Sequence, residues 1–400
     1  MKRLKQQLYS DHIPDDLLIE IFSRLPRKSI DRFRCVSKSL GYILGRPDFR
    51  ELFLTKSSTR PRILFTVASD GKLLFYSSPQ PQNPDDNSTL VPTPYHTSFP
   101  HKFLSAYSPT VCGLALLNDF RKKKVKVICN PMTGEFLTLP TGLRKDKTLA
   151  QLKAKAFKKA KAKGFKKAKA KGFKKAKATG SAICLGYDPI SKQFKVLCVR
   201  PNTHHVLTLE SGKPLWRMIE CQFHFKETYR MPGDICINGV LYSRAKLGQS
   251  AVMVCFDVGS EKFGFINLDK DVNGEPGEDD DDYYDARLAL FNYKGKLGLC
   301  EVTVYRGTKT KDELVLWVLE DAANHKWSKL TYELPTSIRD QRFVGMTGTG
   351  DIVFYPFPRF FGVKIDCLYF YNLERKTVAR VNIQGFEGSN NRSTFTTWRI

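Results

Sequence analysis

The sequence predicts an α+β multidomain protein in which a small all-α module is followed by an all-β, β-propeller-like domain. Apolar residues recur at helical spacing near the N-terminus, whereas short β-branched and aromatic segments between turn residues fill the chain from about residue 60 onward. Turn phrases also recur through the second region at intervals typical of propeller blades. We therefore expect a helical module over 9–55 and a β domain over 60–390.

The first helix is predicted from an apolar stripe and from its flanking prolines. Pro14 fits the first turn, Asp15 and Asp16 place negative charge near the positive end of the helix, and Pro26 ends it. The stripe recurs at positions i, i+1, i+4, i+5 and i+8 and consists of Leu17, Leu18, Ile21, Phe22 and Leu25.

The rest of the helical module is shorter and less regular. A second helix is expected to start near Ser29, with Ile30, Phe33 and Val36 on one side, and residues 47–54 are expected to close the module. A unit of this size buries little apolar surface, so part of the stripe is expected to be covered by a partner. The alternative is a helical hairpin that packs on its own domain.

The phrases at 13–26 and 27–38 resemble an F-box in order and spacing. That resemblance implies docking onto the Skp-type adaptor of a cullin ubiquitin ligase. Members of the family commonly carry tryptophan where this chain has Leu40. That aromatic area would help to close the module or would contact the adaptor, so its loss is expected to weaken adaptor binding. The resemblance implies that the adaptor-binding residues are Ile13, Pro14, Leu17, Leu18, Ile21, Leu25, Pro26, Ile30, Cys35, Val36, Ser37 and Lys38.

The β region is predicted from its strand-like segments and from two recurring turn phrases. The strand-like segments include 62–67, 194–199, 314–319 and 351–355. One phrase is Gly-x-apolar, at Gly71, Gly239, Gly295 and Gly350. The other begins with Asn or Asp and recurs at intervals of 51 to 69 residues, at Asn130, Asp188, Asp257, Asp321 and Asn372. Such intervals favour four-stranded propeller blades, and a pair of β-sandwiches is the alternative.

Several phrases of the β region are similar to the F-box-associated domain of plant proteins, of a type 3-like kind. The similarity runs from about residue 60 to residue 385 and implies a target-binding domain whose ligand differs from member to member. The phrases that carry it are 112–114, 130–134, 186–189, 215–217, 237–242, 256–263 and 317–327.

A segment of low complexity interrupts this region at 146–180. Thirteen lysines and no acid lie between Lys153 and Lys177, so the net charge of +25 falls to +12 without them. The segment is predicted to be a disordered surface insert, with nuclear import or nucleic-acid contact as alternative roles. An acidic run at 278–282 is interpreted as a solvated loop tip, because it lacks the alternate spacing of an EF-hand.

No catalytic, cofactor or metal site is predicted. The sequence lacks the phrases of serine hydrolases, zinc proteases and phosphate-binding loops. Its ten cysteines occur singly, and His204 and His205 should point to opposite faces of a strand. Asp257 and Glu261 are interpreted as turn and surface residues. We therefore expect a protein that is not an enzyme.

Location and function follow as expectations. The sequence has no apolar run long enough to cross a membrane and no secretory signal, so the nucleus or cytoplasm is expected. The leading hypothesis is a substrate receptor that joins a Skp-type adaptor, and through it a cullin, to an unknown protein target. The alternative is a stand-alone glycan- or nucleic-acid-binding protein with a vestigial F-box.

Overall fold

The computed structural model divides the chain into two compact units, Met1–Arg62 and Ile63–Ile400. Within the described residues, no helix is long and apolar enough to cross a bilayer. The described ranges are 13–58, 60–69, 72–100, 103–105, 110–119, 126–140, 182–200, 203–209, 215–227, 234–268, 284–305, 312–356, 366–385 and 396–399. The predicted insert at 146–180 and the acidic run at 278–282 lie outside these residues.

The first unit contains four helices: α1 Asp15–Phe22, α2 Arg27–Phe33, α3 Lys38–Ile43 and α4 Pro47–Ser58. Pro14 and Pro26 each immediately precede a helix. Helix α1 ends at Phe22 rather than at Pro26, and α2 begins at Arg27 rather than near Ser29. Helix α3 was not predicted from the sequence. It begins after Ser37, whose Oγ accepts a hydrogen bond from the backbone N–H of Leu40 at 3.1 Å.

The helices enclose one small apolar core. Phe22, Ile30, Leu44 and Phe49 are buried at its centre. The rings of Phe22 and Phe33 lie 4.8 Å apart and join α1 to α2. The partly buried residues that pack against this core are Leu18, Ile19, Leu25, Leu40 and Phe53.

The second unit contains six β-sheets, which form the blades of a six-bladed propeller. Blade 1 contains β1 Arg62–Ser69, β2 Lys72–Pro79, β4 Thr93–Pro100 and the last strand, β26 Thr396–Arg399. Blade 2 contains β5 Phe103–Ser105, β6 Ala115–Asp119, β7 Lys126–Cys129 and β8 Phe136–Thr138. Blade 3 contains β9 Ala182–Asp188, β10 Gln193–Arg200, β11 Thr203–Thr208 and β12 Arg217–Ile219.

The remaining three blades follow in chain order. Blade 4 contains β13 Lys226–Glu227, β14 Ile235–Ile237, β15 Val240–Leu247, β16 Ser250–Asp257 and β17 Phe263–Asn267. Blade 5 contains β18 Tyr284–Tyr293, β19 Lys296–Tyr305, β20 Glu313–Asp321 and β21 Lys326–Glu333. Blade 6 contains β22 Arg342–Met346, β23 Ile352–Tyr355, β24 Cys367–Asn372, β25 Thr377–Ile383 and the parallel edge strand β3 Thr89–Leu90.

The ring is closed by pairing the two ends of the unit. Strand β26 pairs antiparallel with β1, with Ile63 opposite Arg399. The first strands of successive blades contact one another, from β9 through β14, β18 and β22 to β26. The predicted β-propeller is confirmed, and the alternative of two β-sandwiches is wrong.

Each interface between neighbouring blades has its own apolar cluster. Phe65 of blade 1, for example, packs with Phe370 of blade 6, and Leu299 of blade 5 packs with Met253 of blade 4. Corresponding clusters join the other neighbours in the ring. The core is therefore distributed around the ring rather than collected at one centre.

The turns place the recurring phrases on one face of the ring. Strands one to four of a blade are counted here from the strand that contacts the neighbouring blades, which is β14 in blade 4 and β26 in blade 1. Successive strands are antiparallel, so the turns between strands one and two and between strands three and four share a face, here called the hairpin face. Gly239, Gly295 and Gly350 lie in turns of the first kind, and Gly71 lies outside the described residues. The Asn and Asp phrases lie between strands three and four in blades 2, 4, 5 and 6.

One of these phrases occupies a different turn from the others. The Asp188 phrase joins strands one and two of blade 3. It is therefore not equivalent to the other Asn and Asp phrases, although its spacing in the sequence had grouped it with them. The side chains explain why the two turns look alike in sequence. Asp188 Oδ1 accepts from the N–H of Ile190 at 3.0 Å, and Asn130 Oδ1 accepts from the N–H of Met132 at the same distance. Both turns use the same local capping bond.

Candidate functional site

The helical unit exposes apolar side chains beside its core. Leu17 and Ile21 are each 52% exposed and lie four residues apart on the outer side of α1, whereas Phe22 is buried on the inner side. Large apolar side chains that are exposed next to one another indicate an interaction site. The exposed apolar set of this unit consists of Ile13, Leu17, Ile21, Phe33, Val36 and Tyr42.

Polar contacts hold α1, which carries two members of this set. Glu20 accepts hydrogen bonds from Lys56 and, at 2.6 Å, from Arg24, and these bonds lower the pKa of its carboxyl group. The Arg60 guanidinium donates to the carbonyl oxygens of Ser23 at 2.8 Å and Arg24 at 2.5 Å. These carbonyls follow the end of α1, so Arg60 satisfies acceptors that the helix leaves open.

A second set of polar contacts lies at the start of α4. Arg46 donates to Asp48 at 2.6 Å, and its guanidinium lies 3.8 Å from the Asp15 carboxylate at the start of α1. The hydrogen bond from Arg46 lowers the pKa of Asp48. Such exposed pairs add little stability, but they restrain the angle between helices that carry the exposed apolar set.

Comparison with known proteins assigns both units to families. Residues 10–52 match the F-box domain, and residues 62–399 match the F-box associated beta propeller domain. The chain belongs to the F-box proteins.

Its relatives include F-box proteins of Arabidopsis thaliana that align with nearly all of this chain. "Putative F-box protein At1g53370" is 42% identical, with 97% of this chain and 95% of the relative aligned. F-box protein At1g53790 is 39% identical over 94% of this chain and 78% of the relative, and F-box protein DOR is 37% identical over 93% and 88%. F-box proteins are in general non-catalytic substrate adaptors, and neither matched family is an enzyme family.

The F-box residues predicted to bind the adaptor fall into two groups. Leu18 and Leu25 are half-buried against the core, and Ile30 is buried within it. These three side chains support the helices, so an adaptor contact would involve mainly the others. The exposed members are Ile13, Pro14, Leu17, Ile21, Pro26, Cys35, Val36, Ser37 and Lys38. Their contact with an adaptor stays a prediction.

Two members of the exposed apolar set were missing from the predicted adaptor-binding residues. Phe33 was placed on the apolar side of the second helix, and its spacing from Ile30 could have added it to the site. Tyr42 gave no such signal, because α3 itself was not predicted. Leu40, at the position where the family commonly has tryptophan, packs against the core. Its substitution therefore affects the packing of the F-box.

The propeller of this F-box protein uses its notable polar residues in structural contacts. Glu261, interpreted from sequence as a surface residue, has a side chain only 13% exposed and lies 2.8 Å from Lys195 Nζ. Glu261 was misinterpreted because β10 of blade 3 brings Lys195 close to the turn between β16 and β17 of blade 4. Burial raises the pKa of Glu261, but the bonds from Arg217 and Lys195 outweigh it, so the pKa is lowered.

One histidine and two tryptophans of the described propeller also make structural contacts. His204 is buried, with its ring stacked on Phe225 at 5.3 Å. Trp216 Nε1 donates to Pro140 O at 2.9 Å, and Trp327 Nε1 donates to Asn267 O at 3.0 Å. Each bond joins a fourth strand to the neighbouring blade. Among the described residues, no group of His, Cys, Asp or Glu is arranged to hold a metal.

Proposed function

We propose that this F-box protein is the substrate-recognition subunit of a Skp-cullin-F-box ubiquitin ligase. The F-box binds a Skp-type adaptor, the adaptor joins it to a cullin, and the propeller binds a protein target. The supporting observation is the exposed pair Leu17 and Ile21 on the outer side of α1, whose inner side is already used by the core.

The exposed apolar set is large enough to contribute substantially to such binding. Covering the exposed half of one Leu or Ile side chain contributes about 1 kcal/mol. Covering all six residues of the set contributes about 6 kcal/mol before the cost of association is subtracted, and micromolar binding corresponds to roughly 8 kcal/mol. Polar contacts such as those of Ser37 and Lys38, both exposed, would add orientation.

The receptor contributes proximity rather than bond chemistry. A target held by the propeller reaches the ubiquitin-transferring subunits at a high effective concentration, which is set by the geometry of the assembly. This role requires two binding surfaces and no catalytic group. It agrees with the structural use of Glu261, Lys195 and the tryptophans described above.

The test is a calorimetric titration of the full chain with a Skp-type adaptor. A double variant, Leu17→Asp with Ile21→Asp, is expected to weaken binding at least 100-fold, because it places two charges in an apolar contact. Both positions are exposed, so the F-box should stay folded, and circular dichroism would verify this. The matched control is Val91→Asp, an exposed apolar residue on the propeller, which should bind the adaptor like the unaltered protein.

Two results would contradict the proposal. One is an absence of adaptor binding by the unaltered protein, and the other is equal binding by the double variant. Leu18→Asp is not a suitable substitute for the double variant, because Leu18 packs against the core and its replacement would confuse unfolding with loss of contact.

A further inference from the structure

The propeller concentrates its exposed apolar side chains on two neighbouring blades. Seven large apolar residues are exposed in the described part of the propeller, and six of them belong to blades 2 and 3. The seventh, Val91, follows β3 beside blade 6. The six residues, here called the apolar sector, are Met132, Phe136, Leu137, Ile190, Leu215 and Met218.

Strand topology brings the sector to the hairpin face. Met132 lies in the turn between strands three and four of blade 2, and Phe136 begins the strand that follows. Ile190 lies in the turn between strands one and two of blade 3. Leu215 and Met218 lie where the fourth strand of blade 3 begins. All of these positions are within a few residues of the same face.

The two blades are tightly joined beneath the sector. Leu139 of blade 2 packs in one buried cluster with Leu185 and Val196 of blade 3. Trp216, which follows Leu215 directly, packs against that cluster and donates its indole N–H to Pro140 O at 2.9 Å. Apolar packing and a hydrogen bond therefore join the two blades that carry the sector.

Local folding does not require apolar residues at these positions. Ile190 is 91% exposed, and only its backbone N–H is used, in the capping bond to Asp188. Leu215 is 78% exposed, although its neighbour Trp216 supplies the contact between blades. Polar side chains would serve both turns equally well and would avoid the cost of hydrated apolar surface.

Charge around the sector indicates what kind of partner fits. The exposed Asp, Glu, Lys and Arg side chains described in blades 2 and 3 are Glu135, Lys192, Arg217 and Glu220, two of each sign. Arg217 in addition bonds Glu261. Much of the net charge of +25 comes from the thirteen lysines of the insert, which joins blades 2 and 3 along the chain and lies outside the described residues. A nucleic acid requires a surplus of cations, which the four described side chains do not provide.

We propose that the apolar sector binds an uncharged, apolar segment of the protein target. This inference rests on the proposed function and adds the chemistry of the partner and its place on the propeller. Side chains of such a segment cover Ile190, Leu215 and Phe136, and the balanced charges of the described side chains around them match a segment without net charge.

The test selects peptides from a random dodecapeptide library displayed on phage, using the full chain as bait. The selected peptides are then measured against a triple variant, Phe136→Ser with Ile190→Ser and Leu215→Ser, and against Val91→Ser as control. We expect apolar peptides of near-zero net charge whose affinity falls at least tenfold in the triple variant and is unchanged in the control.

The proposal is overturned by three outcomes: no peptide is enriched, the enriched peptides bind the triple variant equally well, or they are acidic and released by salt. All three substituted residues are exposed, so the fold should persist, as circular dichroism would show. The triple variant should also bind the Skp-type adaptor normally. That measurement separates failure of the sector from failure of the receptor role itself.

Discussion

The F-box and the propeller bury their apolar residues in different ways. The F-box has a single small core around Phe22, Ile30 and Phe49 and leaves six large apolar residues exposed in its described part. The propeller distributes clusters around a ring and leaves seven exposed in its much longer described part. The unit with less interior therefore exposes proportionately more apolar surface.

This difference follows from size and has a functional consequence. A small unit has too much surface for its volume, so an apolar stripe on a short helix cannot be buried on both sides. Evolution can place a binding surface there at little additional cost. In the propeller, by contrast, exposure is avoidable, so a cluster such as the apolar sector on blades 2 and 3 points to a separate use.

The largest effect is expected from removing one core aromatic residue from each unit. Phe49→Ala should cost about 3–5 kcal/mol and unfold the F-box, because this core has few other contributors. Phe354→Ala, at a fully buried position between blades 5 and 6, should cost a similar amount. We expect the propeller to stay folded because many other clusters support it.

Hydrogen–deuterium exchange of the full chain would distinguish the two outcomes. Phe49→Ala should abolish protection in α1–α4 and leave the blades protected, whereas Phe354→Ala should reduce protection without abolishing it. Equal loss of protection in both units would show that the comparison between a single core and a distributed core is wrong.

The next largest effect concerns the buried ion pair between blades 3 and 4. Glu261→Gln leaves Lys195 without its countercharge, and although Lys195 still donates to Val258 O at 2.8 Å, we expect a loss of about 2–3 kcal/mol in the free energy of unfolding. Arg217→Gln is the matched control. Its side chain is 54% exposed, so its loss should cost at most about 1 kcal/mol.

Urea denaturation followed by tryptophan fluorescence would measure both variants. Equal free energies of unfolding for the unaltered protein and Glu261→Gln would mean that the pair contributes nothing to the joint between these blades.

A smaller effect is expected from the indole bonds between outer strands. Trp327→Phe keeps most of the ring but removes the donor to Asn267 O, which should cost about 1 kcal/mol. Trp216→Phe should cost a similar amount through Pro140 O. Differential scanning calorimetry should show a lowered Tm for each. An unchanged Tm in both variants would show that these hydrogen bonds do not stabilise the contact between neighbouring blades.

The smallest effect is a pH dependence confined to acidic solution. The pKa of Glu261 is lowered in the folded state, so its stabilisation is present above the unfolded value of about 4.3 and is lost as pH falls through the folded pKa. The Glu261→Gln variant should therefore lose less stability than the unaltered protein as the pH falls from 5 toward 3. If the free energy of unfolding fell equally with pH in the two proteins, Glu261 would not be the cause of this pH dependence.

The sequence by itself determined the features that depend on neighbouring residues. Pro14 marks the start of α1, and the Asn130 and Asp257 phrases form the turns that their capping side chains favour. Asn238 and Gly239 both adopt positive φ, as a tight two-residue hairpin requires. These choices are local, so a short stretch of sequence specifies them.

Tertiary structure decided what depends on residues far apart in the chain. Only ring closure places Ile63 opposite Arg399, and only the contact of blades 3 and 4 buries Glu261 beside Lys195. Similarly, Ile30 faces the F-box core while Ile21 stays exposed, although both belong to apolar stripes in the sequence. A stripe shows that a residue is apolar, but the neighbours that long-range packing supplies decide whether it supports the fold or meets a partner.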